Sequence, residues 1–246
     1  MGRPWVTARL TNLAFVNYRV PADVLLPYVP RGAELDTPDG EPDLHLVSLV
    51  ALHFGGTRLY GAGVSIPGAQ RFTQVNIRMY VRRGPMRGVV FLRELVTAPA
   101  VALGARLVYR EPLSLAALSH RVEVGQGIVT VRTSIEAGAH QGEVRFAARD
   151  EPALPGETSR ERFLTERHWS FYRARSGQSF HYRLSHPAWR TYPVERTEVT
   201  VDPGALLGRE WQVIDWQAGL HSAAFAEGSM VTVYLPEPVT GPLDTM

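Results

Sequence analysis

The chain has 246 residues, 45% of them hydrophobic and 20% charged, with a formal net charge of +2; it can bury a sizeable core but has no strong basic excess to suit nucleic acid. All 26 basic residues are arginine and there is no cysteine. That excludes lysine Schiff bases, thiolate nucleophiles, disulfides, cysteine-ligated zinc and P-loop phosphate cradles.

The sparse Asn and Ile beside abundant Ala, Gly, Pro and Arg fit a G+C-rich genome, so the lysine gap is first a matter of composition. No run of about eighteen apolar residues suggests a membrane span, and the N-terminus lacks a basic-then-apolar leader. The first strongly apolar run is interrupted by Asn12, Asn17 and Arg19. The expectation is a soluble cytoplasmic protein with no membrane partner, and no linker divides residues 1–246, which read as a single domain.

In chain order, Pro21 to Tyr28 reads as a short helix, with proline at its start and Pro30 as its stop. Leu44 to Phe54 is too apolar for a half-exposed surface and reads as a strand buried on both faces. From 74 to 82, Val75, Ile77, Met79 and Val81 alternate with Gln74, Asn76, Arg78, Tyr80 and Arg82, the clearest period-two strand in the chain. Val89 to Val96 follows as a neighbouring strand. Thr97 to Tyr109 carries a helical apolar stripe through Val101, Leu103 and Val108.

Gly127 to Ile135 and Gly142 to Ala148 continue the strands. Thr158 or Ser159 caps a turn of helix through Phe163 and Leu164, and Asp202-Pro203 opens another over Leu206 and Leu207. Trp169 to Arg175 and Gln178 to Ser185 flank Ser176-Gly177 as a hairpin, which sets His168 and His181 roughly across from each other. Ser229 to Leu235 is a closing strand, and the Pro-rich tail from about 237 reads as loose.

Five segments carry a resemblance. They are Pro21 to Asp36, Phe72 to Val81 (FTQVNIRMYV), Val89 to Tyr109, Phe163 to Tyr172 (FLTERHWSFY) and His186 to Trp189 (HPAW). In this order and spacing the chain resembles the YqjF-like family, a domain of unknown function. The resemblance implies the acetoacetate decarboxylase-like fold: α+β but mainly β, a strongly bent antiparallel sheet closing into a barrel or cone with a few outer helices. The decarboxylase works through a lysine whose pKa a neighbouring lysine depresses, and this chain supplies neither. Gln74 stands where the resemblance leads us to expect Glu before the N-x-R-x-Y piece, which speaks against an essential carboxylate at that position.

Gln74, Asn76, Arg78 and Tyr80 share one face of their strand. That face is either a solvated outer row or the lining of a cavity, where Arg78 would hold a carboxylate or enolate oxygen and Asn76 and Tyr80 would orient it. Arg93 and Glu94 are adjacent, so alternation sends them to opposite faces. A buried carboxylate must be paired or protonated, and desolvation tunes it toward proton transfer. Glu94 is therefore either a general acid or base or the structural partner of an arginine such as Arg78 or Arg106. Glu166 either joins the same site or is a cap or edge salt bridge.

The eight histidines show no metal-binding spacing, no G-x-S-x-G elbow is present, and Gly125-Gln126-Gly127 precedes a strand, the wrong order for a dinucleotide fingerprint. No metal or cofactor is expected. His186, Trp189, Trp211 and Trp216 read as packing residues. The reading is a small-molecule protein for an organic anion or apolar keto-acid-like ligand. It is either a lysine-free enzyme of lyase, isomerase or hydratase type, with Glu94 and Arg78 catalytic and Gln74, Asn76, Tyr80, Arg93 and Glu166 in binding, or a non-catalytic module or interaction protein with a filled barrel. Homo-oligomerisation stays open.

Overall fold

The computed structural model describes residues 2–108 and 113–240. In chain order the elements are β1 (Pro4–Arg19), α1 (Ala22–Leu25) running into a 3-10 turn at Leu26–Tyr28, β2 (Glu34–Leu35), β3 (Leu46–Leu59), β4 (Arg71–Arg83) and β5 (Met86–Val96). Then come α2 (Pro99–Val108), β6 (Leu113–Leu115), β7 (Ala117–Gly125), β8 (Ile128–Ala137), β9 (His140–Arg149) and α3 (Arg160–Thr165). The remainder is β10 (Trp169–Arg173), β11 (Ser179–Ser185), β12 (Thr191–Tyr192), β13 (Val194–Val199), α4 (Pro203–Leu207), β14 (Leu220–Ala226), β15 (Met230–Tyr234) and β16 (Glu237–Pro238).

Pairings close a ring in the order β1, β15, β11, β10, β5, β4, β3 and back to β1. The sheet is mixed: β5 runs parallel to both β10 and β6. The β5–β10 seam is short, with Gly88 opposite Trp169 and Val89 opposite Ser170. Gly88 is required there because a Cβ would stand 2.5 Å from the Trp169 carbonyl oxygen and 2.8 Å from the Phe171 ring. A second antiparallel sheet, β13-β9-β8-β7, packs on the outside.

Two cores follow from this layering. Outside the ring, Val16, Leu49, Val75, Ile77 and Met79 meet Val131, Val144 and Phe146 of the second sheet, with Trp211 and Trp216. Inside it, Leu13, Phe15, Val50, Tyr80, Val89, Phe163 and Trp189 pack together. β3 and β4 are thus buried on both faces, as the apolar run in β3 predicts. The helix openings also match, Ser159 Oγ accepting from the Arg162 amide at 3.2 Å and an Asp202 oxygen from the Gly204 amide at 2.8 Å.

Three features differ from the sequence reading. β1 is a sixteen-residue strand whose alternation is hidden by Asn12, at φ 59°: Ala8 and Leu10 face inward before it, Leu13 and Phe15 after it. His168 does not face His181. It lies tilted against His186 at 4.6 Å, while His181 lies against Trp169 at 5.2 Å. In the tail, Glu237–Pro238 pairs with β11, and residues 241–246 lie outside the described residues. No described helix is long and apolar enough to cross a membrane.

Candidate functional site

The polar face of β4 points into the ring. Register makes one cross-strand row from Ser222 through Asn17, Ser48 and Arg78 to Phe91, and the next from Phe15 through Val50 and Asn76 to Glu94. Phe91 and Glu94, three apart, share this face because the ladder skips a residue between Ile77 and Arg78, where Arg93 and Phe91 are the successive partners. Arg93 consequently goes to the other face, opposite Ile77, and is separated from Arg78, Asn76 and Gln74. Its Nε is buried with no hydrogen-bond partner.

Part of the inner face is fully satisfied. Ser48 Oγ lies 2.6 Å from Asn17 Oδ1 and 2.6 Å from the Tyr80 hydroxyl, and Asn17 Nδ2 donates to Ser222 Oγ at 3.1 Å. Gln74 Nε2 donates to Glu94 Oε1 at 2.6 Å. Glu94 has a further interaction of its own, and the side chain of Arg106 is outside the described residues.

Arg78 is different. It is only 8% exposed and donates one hydrogen bond, to the Leu164 carbonyl at 2.8 Å. Its guanidinium lies over the rings of Phe15 at 5.1 Å and Tyr80 at 5.5 Å, and its Nε is buried without a partner. It has no carboxylate partner among the described residues. Two positions along the same face, about 7 Å by strand rise, Asn76 Oδ1 is also buried without a donor. Among the described residues, Arg78 Nε and Asn76 Oδ1 thus stand on one face as a bare donor and a bare acceptor.

The residues after α3 close this end. Asp36 accepts from Arg167 Nη1 at 2.5 Å and from Arg87 Nε at 2.8 Å, and the Arg167 guanidinium stacks on Phe163 at 3.8 Å and on Tyr80 at 5.1 Å. Burial lowers the Arg167 pKa to about 10 against the opposing pull of Asp36. Glu166 belongs to this rim: it pairs with Arg162 at 2.8 Å in a cleft of about 90 Å³ shared with Asp39, Arg87 and Arg167. It is not brought to Arg78 or Glu94. A wider cleft of about 410 Å³ adjoins it between Asp36, Pro38, Arg82 and Arg87.

The sequence reads His186 as a packing residue, and the structure gives it a place beside Arg78 as well. Its ring is stacked on Trp189 at 4.1 Å, and Nδ1 is 2.8 Å from the Pro187 carbonyl, which fixes the proton on Nδ1 and leaves Nε2 as a lone pair, buried and without a hydrogen bond among the described residues, with the Arg167 backbone also close to the ring. Desolvation, aided by the charges of His168 and Arg78, lowers its pKa to about 4. The HPAW segment showed a histidine ahead of a proline, but nothing in it shows proximity to Arg78, which comes from a strand over a hundred residues earlier.

Comparisons with known proteins agree with this architecture. The enduracididine biosynthesis enzyme MppR complexed with pyruvate is 14% identical, with a TM-score of 0.70 over 98% of this chain and 91% of that one. Acetoacetate decarboxylase from Legionella pneumophila is 14% identical, with a TM-score of 0.66 over 97% and 88%. An acetoacetate decarboxylase-like enzyme from Sphingomonas wittichii RW1 is 11% identical, with a TM-score of 0.67 over 96% and 93%. These likenesses show the fold that the sequence resemblance implied. No curated protein matches the chain. A family model described as an uncharacterized conserved protein (COG2071) matches residues 7–226, and the chain belongs to that family, DUF2071.

Proposed function

We propose that the ring interior binds a small organic anion of keto-acid type, with Arg78 holding its carboxylate. The observation that carries this is the buried Arg78 guanidinium, which makes no ion pair with an acid among the described residues. An uncompensated buried charge costs several kcal/mol, and a ligand carboxylate offsets that cost with a charge-assisted bond to Nε. Asn76 Oδ1 then accepts from an enol or hydroxyl of the same ligand, while Tyr80, whose proton goes to Ser48, offers only its ring and a lone pair.

The chemistry so equipped is proton transfer next to a carbonyl, of lyase, isomerase or hydratase type. The C–H bond breaks, its electron pair forms the enolate double bond, and the carbonyl oxygen takes the charge beside Arg78. The proton goes to His186 Nε2 or Glu94. No lysine imine takes part, since the chain has no lysine. A second reading, an interaction protein whose ring is filled by its own side chains, is favoured by the packing of Phe15, Val50, Val89 and Trp189 together.

Thermal melts with pyruvate, acetoacetate and neutral acetone test the reading. At about 100 times its dissociation constant a bound acid stabilises the fold by roughly 2.7 kcal/mol. Both acids are expected to raise the melting temperature, acetone not, and Arg78→Met is expected to abolish the response. Equal responses to acetone, or a response that survives Arg78→Met, would refute it. Glu94→Gln, which keeps a hydrogen-bonding amide, is expected to preserve binding and slow proton transfer by about 10² to 10⁴ if Glu94 is the base; full activity assigns the step to His186.

A further inference from the structure

A third cleft lies on the outer surface, away from the ring interior. It has a volume of about 720 Å³ and is lined by Arg9, Arg58, Arg71, Leu59, Tyr60, Met230 and the glycines between them, with no acidic residue. Register explains its shape. Met230 of β15, Arg9 of β1, Gly55 of β3 and Arg71 of β4 form one row across four adjacent strands, so two guanidiniums stand about 10 Å apart at their backbones over a position without a side chain. Arg58, opposite Thr7, completes the triangle from the same face.

The floor is open: a Cβ on Gly55 would meet nothing nearer than the Arg9 carbonyl oxygen at 3.9 Å. None of the three arginines makes an ion pair among the described residues, and all three are exposed. Like charges across a sheet face repel, and these three stand together in a cleft whose lining holds no acid. The backbone of the floor is already bonded, Gly56 N to the Gln70 carbonyl at 2.7 Å and Gly55 between two strands. An added peptide strand therefore finds no free ladder here, and recognition falls to the guanidinium forks.

We propose that this cleft binds a phosphomonoester with an apolar or aromatic body. Three guanidiniums from three strands match the three oxygens of one phosphoryl group, and the exposed Tyr60 and Met230, at 52% and 46%, receive the body. The site is independent of Arg78 and of the proposed keto-acid chemistry.

Calorimetric titration of the full chain with phenyl phosphate, inorganic phosphate and phenylacetate tests this. Phenyl phosphate is expected to bind with an affinity that falls with salt, and to bind more tightly than the other two. Arg9→Gln with Arg71→Gln is expected to weaken it by about tenfold or more. Gly55→Leu keeps every charge and fits the open floor, and it is expected to block binding by filling the notch. Arg78→Met is expected to leave phenyl phosphate binding unchanged. The proposal is overturned if phenyl phosphate does not bind, if inorganic phosphate or phenylacetate binds as well, or if Gly55→Leu binds like the wild type.

Discussion

The Tyr80 hydroxyl donates to Ser48. The two oxygens are 2.6 Å apart, and Ser48 directs its one proton to Asn17 Oδ1, which can only accept. Tyr80→Phe therefore removes a donor and leaves Ser48 still bonded to Asn17, at an expected cost of about 1 kcal/mol. Ser48→Ala leaves both a buried hydroxyl and a buried amide oxygen without partners and is expected to cost about 2 to 4 kcal/mol. Urea denaturation of the two variants checks the order; equal losses would show that the chain of bonds is not continuous.

Two guanidiniums lie against the Tyr80 ring, and only one has an acid beside it. Asp36→Asn strands the buried Arg167 and is expected to destabilise the fold by about 3 to 5 kcal/mol. Arg78→Met strands no acid among the described residues and loses one bond to the Leu164 carbonyl, so without ligand the expected change is within about 1 to 2 kcal/mol. A larger loss at Arg78 than at Asp36 would reverse this assignment.

Acid weakens the fold through histidines buried as neutral rings. His120 Nε2 donates to the Asn12 carbonyl at 2.7 Å and Nδ1 accepts from Thr133 at 2.8 Å; desolvation first, and the charge of His53, whose ring is tilted against it at 4.8 Å, bring its pKa to about 4. Since the unfolded ring protonates near 6.5, the unfolded state binds the extra proton between about pH 6.5 and 4. Stability is therefore full above that window and is lost as pH falls through it, by about 3 kcal/mol for His120, with a smaller share from the more open His186. In His120→Phe the drop between pH 7 and 4.5, measured by denaturant titration, is expected to shrink; an unchanged slope would place the sensitivity elsewhere.

The β5–β10 seam, like β11–β15, joins the ring through only two register pairs. Gly88→Ala sets a methyl group against the Trp169 carbonyl and is expected to cost about 1 to 3 kcal/mol, with hydrogen exchange accelerating first at residues 88–90 and 169–171. Exchange that quickens uniformly would indicate general destabilisation instead of an opened seam.

How much of this was legible depended on local period. β4 announced itself because its alternation is unbroken from Gln74 to Arg82, and the hairpin 169–185 because Ser176-Gly177 marks its turn. β1 did not, since the positive-φ Asn12 shifts its parity midway. The inward face of Glu94 could not be counted either: alternation from Phe91 puts Arg93 inside, alternation back from Val96 puts Glu94 inside, and the bulge decides. The neighbours of Arg78, from Phe15 to Leu164, are set by ring closure between distant segments, which no local pattern encodes. For the same reason the cap at Ser159 was readable, and the placement of Glu166 on the rim with Arg162 was left open.

Burial of β4 on both faces divides its positions by parity. Val75, Ile77, Met79 and Val81 bind the ring to the outer sheet, while Gln74, Asn76, Arg78 and Tyr80 line the interior. Selection for a folded chain therefore acts on one set, and selection for what the interior accepts acts on the other. The two sets interleave along one thirteen-residue strand and point to opposite sides of it. A lineage can thus exchange the inward residues and explore new ligands while the scaffold stays constant.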